Sequence, residues 1–162
     1  SGAPNVYELM IARQQGEGGS QTYKWLGGSV GADGTTIYCP ACDTTAVLRI
    51  DTVSEKCSTF GYAGDSANKW QGGVRARDGC IYCIPADGQH VLRISTEHNV
   101  VQLLGKLPGH KDKWQGGNEG LNGALYFIPE NGYRVLKVTP AESPPSLIDG
   151  KLPTGDVKLE YI

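Results

Sequence analysis

The chain has 162 residues, of which 39% are hydrophobic and 20% are charged, and its formal net charge at pH 7 is −2. These values are ordinary for a globular domain. The small net charge, without a basic run, gives no electrostatic basis for binding nucleic acid. No apolar run is long enough for a membrane span. Gly is frequent, at 23 residues, and Phe and Met are rare, which favours strands and tight turns over helices.

In chain order, the first predicted element is a strand at residues 5–11, within a lead-in that covers residues 1–23. A unit that opens with Lys, Trp and two glycines then occurs three times, as KWLGG once and as KWQGG twice. Successive Trp residues are 45 and 44 positions apart, a spacing typical of β-propeller repeats. The predicted blades are residues 24–68, 69–112 and 113–156, and residues 157–162 form a C-terminal strand.

The middle repeat predicts a four-stranded antiparallel meander. Its predicted strands are residues 72–76, 80–84, 91–95 and 100–104. The first turn contains Asp78-Gly79, which is typical of a tight hairpin, and the second strand ends at Pro85, which cannot donate a hydrogen bond to a sheet. The glycine pair opens the strand nearest the propeller axis, where we expect neighbouring blades to crowd together.

The other two repeats contain the same turn and strand residues. Asp33-Gly34 and Asn122-Gly123 occupy the place of the first turn, an Ile-Tyr or Leu-Tyr pair follows, and each third strand reads Val-Leu-Arg/Lys-Ile/Val. We also align three prolines: Pro40, Pro85 and Pro129. The sequence therefore predicts an all-β fold of about three propeller blades with partial terminal strands.

The recurring pattern K-W-x-G-G, D/N-G, I/L-Y, I-P and V-L-R/K-I/V resembles the blades of kelch-like, NHL-like and quinoprotein-like propellers. It is most similar to tandem propeller repeats of algal and other protist proteins. The resemblance covers about Tyr23 to Asp156 and implies a β-propeller. It implies no single function, because propellers serve as scaffolds, lectins and enzymes.

Three blades are fewer than the roughly 4 to 8 that close known propellers. Residues 5–11 are interpreted as the outermost strand of an earlier blade, residues 157–162 as the first strand of a fourth, and Pro144-Pro145 as part of the outermost strand of the third. The two ends either join each other in a partial fourth blade or pair with another chain. Exposed blade faces and strand edges promote association. We therefore expect a protein partner, either a second copy in a homo-oligomer or other subunits of a larger complex.

Recurring aromatic and basic residues are the candidates for ligand binding. At the start of the repeats they are Trp25, Trp70, Trp114, Lys24, Lys69 and Lys113; in the third strands they are Arg49, Arg93 and Lys137. The indoles are suited to stacking on a sugar or to sealing the seam between two blades. The lysines are then solvated or lie over a neighbouring indole, and the third-strand cations bind an anion or pair with a carboxylate.

The five cysteines are an odd number, which favours a reducing, intracellular compartment. Cys39 and Cys42, in the sequence CPAC, are weak candidates for metal ligands. The repeat alignment argues against a four-thiolate site, because Phe127 occupies the position of Cys39 and Cys83. We therefore expect buried free thiols, no metal and no cofactor.

No constellation of nucleophile, base and orienting group is evident, and the three histidines fall at unrelated positions in the repeats. The sequence therefore favours a non-catalytic propeller module for protein–protein interaction or assembly. One alternative is a lectin-like or small-ligand-binding propeller, with carbohydrate as a partner, which requires the three Trp residues or the loops at 41–46, 86–90 and 130–134 to form equivalent pockets. The other alternative is part of a propeller enzyme.

Overall fold

The computed structural model describes residues 22–162, and all regular structure in that range is β-strand. Twelve strands form three four-stranded sheets, in which sequential neighbours pair in antiparallel fashion. The prediction of an all-β fold with four-stranded blades is confirmed. The range contains no helix that is long and apolar enough to cross a membrane. The strand predicted at residues 5–11 lies outside the described residues.

Each sheet is one blade, and its strands follow the chain from the inner to the outer edge. Blade 1 contains β1 (Ser29–Val30), β2 (Thr36–Cys39), β3 (Val47–Asp51) and β4 (Lys56–Phe60). Blade 2 contains β5 (Trp70–Arg75), β6 (Cys80–Pro85), β7 (Val91–Ser95) and β8 (Val100–Leu104). Blade 3 contains β9 (Trp114–Glu119), β10 (Leu125–Pro129), β11 (Leu136–Thr139) and β12 (Lys158–Tyr161).

The outermost strand of blade 3 differs from the prediction. β12 pairs with β11, from Leu136 opposite Tyr161 to Thr139 opposite Lys158. The interpretation of residues 157–162 as the start of a fourth blade is therefore wrong. Pro144-Pro145 also lies outside any strand, because proline has no N–H to donate to a sheet. The chain instead forms a long loop before it returns to complete blade 3.

The predicted alignment of three prolines is also wrong. In each blade, the Trp that opens the repeat forms an antiparallel bridge with a residue at or just after the end of the second strand. The pairs are Trp25 with Ala41, Trp70 with Pro85 and Trp114 with Pro129. Pro40 therefore corresponds to Ile84 and Ile128. The cause is one extra residue in blade 1.

That extra residue lies in the first turn of blade 1. A backbone hydrogen bond from Gly31 N to Thr36 O closes this turn, whereas the equivalent bond in blade 2 joins Ala76 N to Cys80 O, one residue closer. The insertion explains why the first Trp spacing is 45 and the second is 44.

The two glycines after each Trp have different roles. The register of β5 against β6 shifts between Trp70 and Gly73, and Gly72 in that bulge has a φ of 80°, which favours glycine. A Cβ on Gly73 would lie 2.8 Å from the side chain of Ile81. A Cβ on Gly27 would lie 3.0 Å from the Cα of Gly72 in the next blade. The expected crowding of blades near the axis is therefore present at the first seam.

The hydrophobic core lies between the blades, in two clusters. The seam between blades 1 and 2 buries Tyr38, Val47, Trp70, Ile81 and Leu92, among others. The seam between blades 2 and 3 buries Tyr82, Ile84, Trp114, Phe127 and Leu136, among others. Blade 2, which has a neighbour on both sides, therefore buries both of its faces.

Candidate functional site

Two of the three recurring Trp residues are fixed at the seams. Trp70 and Trp114 are each 2% exposed. Each indole N–H donates to a carbonyl just before the third strand of its own blade, at 2.9 Å for His90 and 2.8 Å for Arg134. Trp25 is half-buried and makes the same type of bond to a blade 1 carbonyl. Burial of a large ring with its single donor satisfied stabilises the seam.

The Lys that precedes Trp70 joins two blades. Lys69 is 2% exposed, and its ammonium donates to the carbonyls of Cys42 and Thr44 of blade 1, both at 2.9 Å, and to Ser66 at 2.5 Å. The ammonium lies 5.8 Å from the ring centroid of its own Trp70. The expectation of a solvated side chain is wrong for Lys69, whereas the alternative that the ammonium lies over a neighbouring indole holds for Trp70.

Lys113 forms the same joint at the next seam. It is fully buried, and its ammonium donates to Ala86 O of blade 2 at 2.7 Å and to His110 O at 3.1 Å. Burial lowers the pKa of both Lys69 and Lys113, and the negative charges of Asp43 and Asp87 act in the opposite direction. The expectation of a solvated side chain is wrong here too.

We call the residue pairs 68–69 and 112–113 the connectors, and the loops at 42–44 and 86–88, which receive them, the sockets. Asp43 accepts the backbone N–H of Asn68 at 2.7 Å, and Asp87 accepts that of Asp112 at 2.8 Å. Asn68 and Asp112 have φ values of 50° and 49°, a conformation that Asn and Asp tolerate. Each connector is thus held by one carboxylate of the preceding blade and by its backbone carbonyls, those of Cys42 and Thr44 for the first connector and that of Ala86 for the second.

Arg93 lies in a buried ionic network that crosses the second seam. Its side chain is fully buried and lies 3.1 Å from a carboxylate oxygen of Asp78 and 3.0 Å from Asp156. Tyr82 donates to Asp78 at 2.7 Å. Asp156 comes from the loop before β12, so the network joins blades 2 and 3.

The corresponding cations of the other blades are less enclosed. Lys137 is partly exposed and lies 3.2 Å from Glu160 on the neighbouring strand. Arg49 is half-buried, and its Nε has no hydrogen-bond partner within residues 22–162. The three positions therefore share a residue type but have different surroundings.

All five cysteines are free thiols. Cys42 lies in the first socket, with its sulfur 3.7 Å from a carboxylate oxygen of Asp43. Burial, followed by the charge of Asp43, raises the pKa of Cys42 to about 11. Cys39 lies in β2 and is half-buried. In the part of the chain that the structure describes, no three His, Cys, Asp or Glu side chains are placed to hold a metal ion.

Two equivalent clefts lie beside Trp70 and Trp114. The blade 2 cleft, of about 290 Å³, is lined by residues that include Ser66, Trp70, Gly88, Gln89, His90 and Leu103. The blade 3 cleft, of about 240 Å³, is lined by residues that include His110, Trp114, Gly132, Tyr133, Arg134 and Tyr161. The second set occupies the same repeat positions as the first, but is richer in aromatic and basic side chains. Tyr161 was not among the predicted site residues, because residues 157–162 were assigned to a fourth blade.

No blade within residues 22–162 covers the outer face of blade 3. Ile128 is 50% exposed, whereas the equivalent Ile84 at the closed seam is 4% exposed. Tyr126 and Lys137 are half-buried, whereas the equivalent Tyr82 and Arg93 are fully buried. This face therefore has the composition of a seam, but none of the described blades lies against it.

Neither the family models nor the curated proteins that we compared contain a match to this chain. The chain is similar to solved structures of virginiamycin B lyase from Staphylococcus aureus, at 17% identity and a TM-score of 0.60, covering 87% of this chain and 42% of the lyase. It is also similar to a streptogramin B lyase, at 16% identity and a TM-score of 0.61, covering 90% of this chain and 43% of that one. A third structure is hydrazine synthase from Kuenenia stuttgartiensis, at 14% identity and a TM-score of 0.54, covering 79% and 36%.

These similarities concern the fold. They support a β-propeller, in agreement with the three four-stranded sheets. The chain spans less than half the length of each of these structures.

Proposed function

We propose that the chain is an assembly module, a three-blade arc that completes a propeller ring by pairing its open blade faces with those of a second copy. The observation that carries this proposal is the contrast between Ile128, half exposed on blade 3, and Ile84, buried at the closed seam. Exposed apolar blade faces promote association.

A second copy supplies a suitable number of blades. Two three-blade arcs provide six, within the range of about 4 to 8 that propellers use. The contact would join the outer face of blade 3 to blade 1 of the other copy, and a two-fold arrangement repeats this contact twice and closes the ring.

Light scattering across a range of protein concentrations tests the assembly. We expect a concentration-dependent mass that approaches twice the 17.3 kDa of the chain. Ile128→Glu places a charge on the open face and should restore the single-chain mass at every concentration, because an unpaired buried charge is costly.

Val53→Glu is the matched control. Val53 is exposed in the outer turn of blade 1, and the equivalent residue of blade 2 is Glu97, which is also exposed. This variant should associate as the original chain does. A single-chain mass for the unmodified protein at all concentrations would contradict the proposal.

Small-ligand binding is a second candidate, favoured by the equivalent clefts beside Trp70 and Trp114. Two of the three loops that this function requires, at 86–90 and 130–134, line them. The blade 3 cleft also contains Tyr161, stacked on Trp114 with ring centroids 6.1 Å apart, and the exposed Tyr133. Aromatic walls with a basic residue nearby are suited to a sugar.

NMR titration with a glycan panel tests this candidate through the indole N–H signal of Trp114. We expect shifts that Tyr133→Ala abolishes and that Tyr62→Ala leaves intact, because Tyr62 is exposed outside this cleft and hydrogen-bonds Asp65. No response to any glycan, or an equal loss in both variants, would remove sugar binding at this cleft.

A further inference from the structure

We infer that the blade 3 cleft binds a sugar that carries a carboxylate, a hexuronate. This inference rests on the sugar-binding candidate and specifies the class of sugar. Arg134 would hold the carboxylate, and the Tyr161 ring would contact an apolar face of the sugar. The inference follows from the charge of this cleft and from its contrast with the equivalent cleft of blade 2.

The two clefts occupy the same place in their blades but differ in chemistry. His110, Arg134 and Tyr161 of blade 3 stand where blade 2 has Ser66, His90 and Leu103. Each of the three differences adds a ring or a nitrogen donor to the blade 3 cleft. The repeat therefore keeps the cleft and changes what it can recognise.

The charge of the blade 3 cleft is positive. Asp87 lines the blade 2 cleft, whereas no Asp or Glu is among the described residues that line the blade 3 cleft. The position of Asp87 is taken in blade 3 by the neutral Asn131. Because an uncompensated cation attracts a ligand of opposite charge, this cleft favours an anion over a neutral or cationic ligand.

Arg134 is the group suited to that anion. It is exposed, and within residues 22–162 its guanidinium has no described acceptor, whereas Arg77 and Arg93 each pair with a carboxylate. In the blade 2 cleft, the equivalent His90 already bonds the Gly105 carbonyl through Nδ1. A guanidinium stays charged and matches the two oxygens of a carboxylate.

Tyr161 provides the apolar wall. One face of its ring lies against Trp114, at an interplanar angle of 13°, and the residue is 42% exposed. A partly exposed aromatic ring offers a flat apolar surface for the C–H face of a sugar. Trp114 is only 2% exposed. Its indole therefore reports binding through the stacked Tyr161 and is not itself the contact surface.

NMR titration with stereochemically matched sugars tests the preference for a carboxylate. The probes are glucuronate with glucose and galacturonate with galactose, at constant ionic strength. We expect each uronate to shift the Trp114 indole N–H signal with a dissociation constant about tenfold lower than that of its neutral partner, because charge-assisted hydrogen bonds are the stronger ones. The Trp70 indole should not respond, because its cleft lacks the arginine and contains Asp87.

Arg134→Gln should abolish this preference, so that each uronate and its neutral partner bind with similar dissociation constants. The Trp114 indole bonds the backbone carbonyl at position 134, which the substitution retains. Residual binding of the neutral sugars shows that the cleft of the variant is intact. Lys56→Gln is the control, because it removes an exposed cation from β4, outside the cleft, and should leave the preference unchanged.

The outcomes separate this inference from the sugar-binding candidate. If no sugar of either kind shifts the Trp114 signal, both are refuted. If the neutral sugars bind as tightly as the uronates, or if Arg134→Gln behaves like Lys56→Gln, sugar binding stands and the preference for a carboxylate is refuted. An equal response of Trp70 and Trp114 to the uronates would also refute it, because it would indicate charge attraction without a site.

Discussion

The seam between blades 2 and 3 and the open face of blade 3 contain equivalent residues, but only the seam is covered by a described neighbouring blade. At the seam, Ile84 and Arg93 are buried, and Arg93 contacts carboxylates from both blades. On the open face, Ile128 is half exposed, and Lys137 pairs with Glu160 of its own sheet. The comparison shows that the strand pattern alone does not decide the energetic role of a residue in a propeller; the adjoining blade does.

The largest expected difference concerns the third-strand cations. Within residues 22–162, Arg93 is the only cation described beside the fully buried Asp78. Arg93→Met leaves that carboxylate unpaired and should therefore lower the free energy of unfolding by about 3–5 kcal/mol. Lys137→Met removes a partly exposed pair and should cost less than about 1 kcal/mol. Urea unfolding of both variants measures the difference, and equal costs would contradict the contrast between closed and open positions.

The apolar residues should show the next difference. Ile84→Ala deletes a fully packed side chain and should cost about 2–5 kcal/mol. Ile128→Ala should cost clearly less in dilute protein, because half of its side chain already contacts solvent. If a second copy covers this face, the cost of Ile128→Ala should rise with protein concentration. A cost that equals that of Ile84→Ala at every dilution would mean that the face is never open.

The smallest expected difference concerns thiol reactivity and leaves stability unchanged. Burial raises the pKa of Cys80, at the closed seam, to about 12, and that of Cys42 to about 11. Because the thiolate is the reactive form, both should resist iodoacetamide at pH 8, and labelling of Cys42 should rise about tenfold per pH unit toward its pKa.

Cys57, which is partly exposed on the outermost strand of blade 1, should be modified first. Mass spectrometry after timed labelling measures the order. Early modification of Cys80 in the native protein would indicate that the seam between blades 2 and 3 opens readily.

Much of each blade was predictable because the relevant signals are local. Asp78-Gly79 defines a hairpin turn, and the predicted strands at 91–95 and 100–104 coincide with β7 and β8. The same local rules placed Trp70 beside its glycines at the start of an inner strand. Turn chemistry and strand pattern depend on a few neighbouring residues, so the sequence alone predicts the turns and strands of a blade.

The candidate site was less predictable because its contacts join distant residues. The Lys69 ammonium binds the carbonyls of Cys42 and Thr44, and Arg93 binds Asp156. Because every residue has a backbone carbonyl, the sequence does not indicate which carbonyl will accept a hydrogen bond from a distant side chain. From the sequence, a Lys beside a Trp was therefore interpreted as a solvated residue, a cation over an indole or a ligand-binding group. Only the position of the neighbouring loop shows that it joins two blades.

The sequence by itself determined the repeat and most of its strands, because these depend on local turns and on periodic spacing. Only the tertiary structure decided that β12 completes blade 3, that Lys69 and Lys113 are buried, and that Ile84 is enclosed while Ile128 is not. These features depend on which surfaces meet across a seam. Burial and desolvation are properties of the pair of blades, and neither blade's sequence specifies them alone.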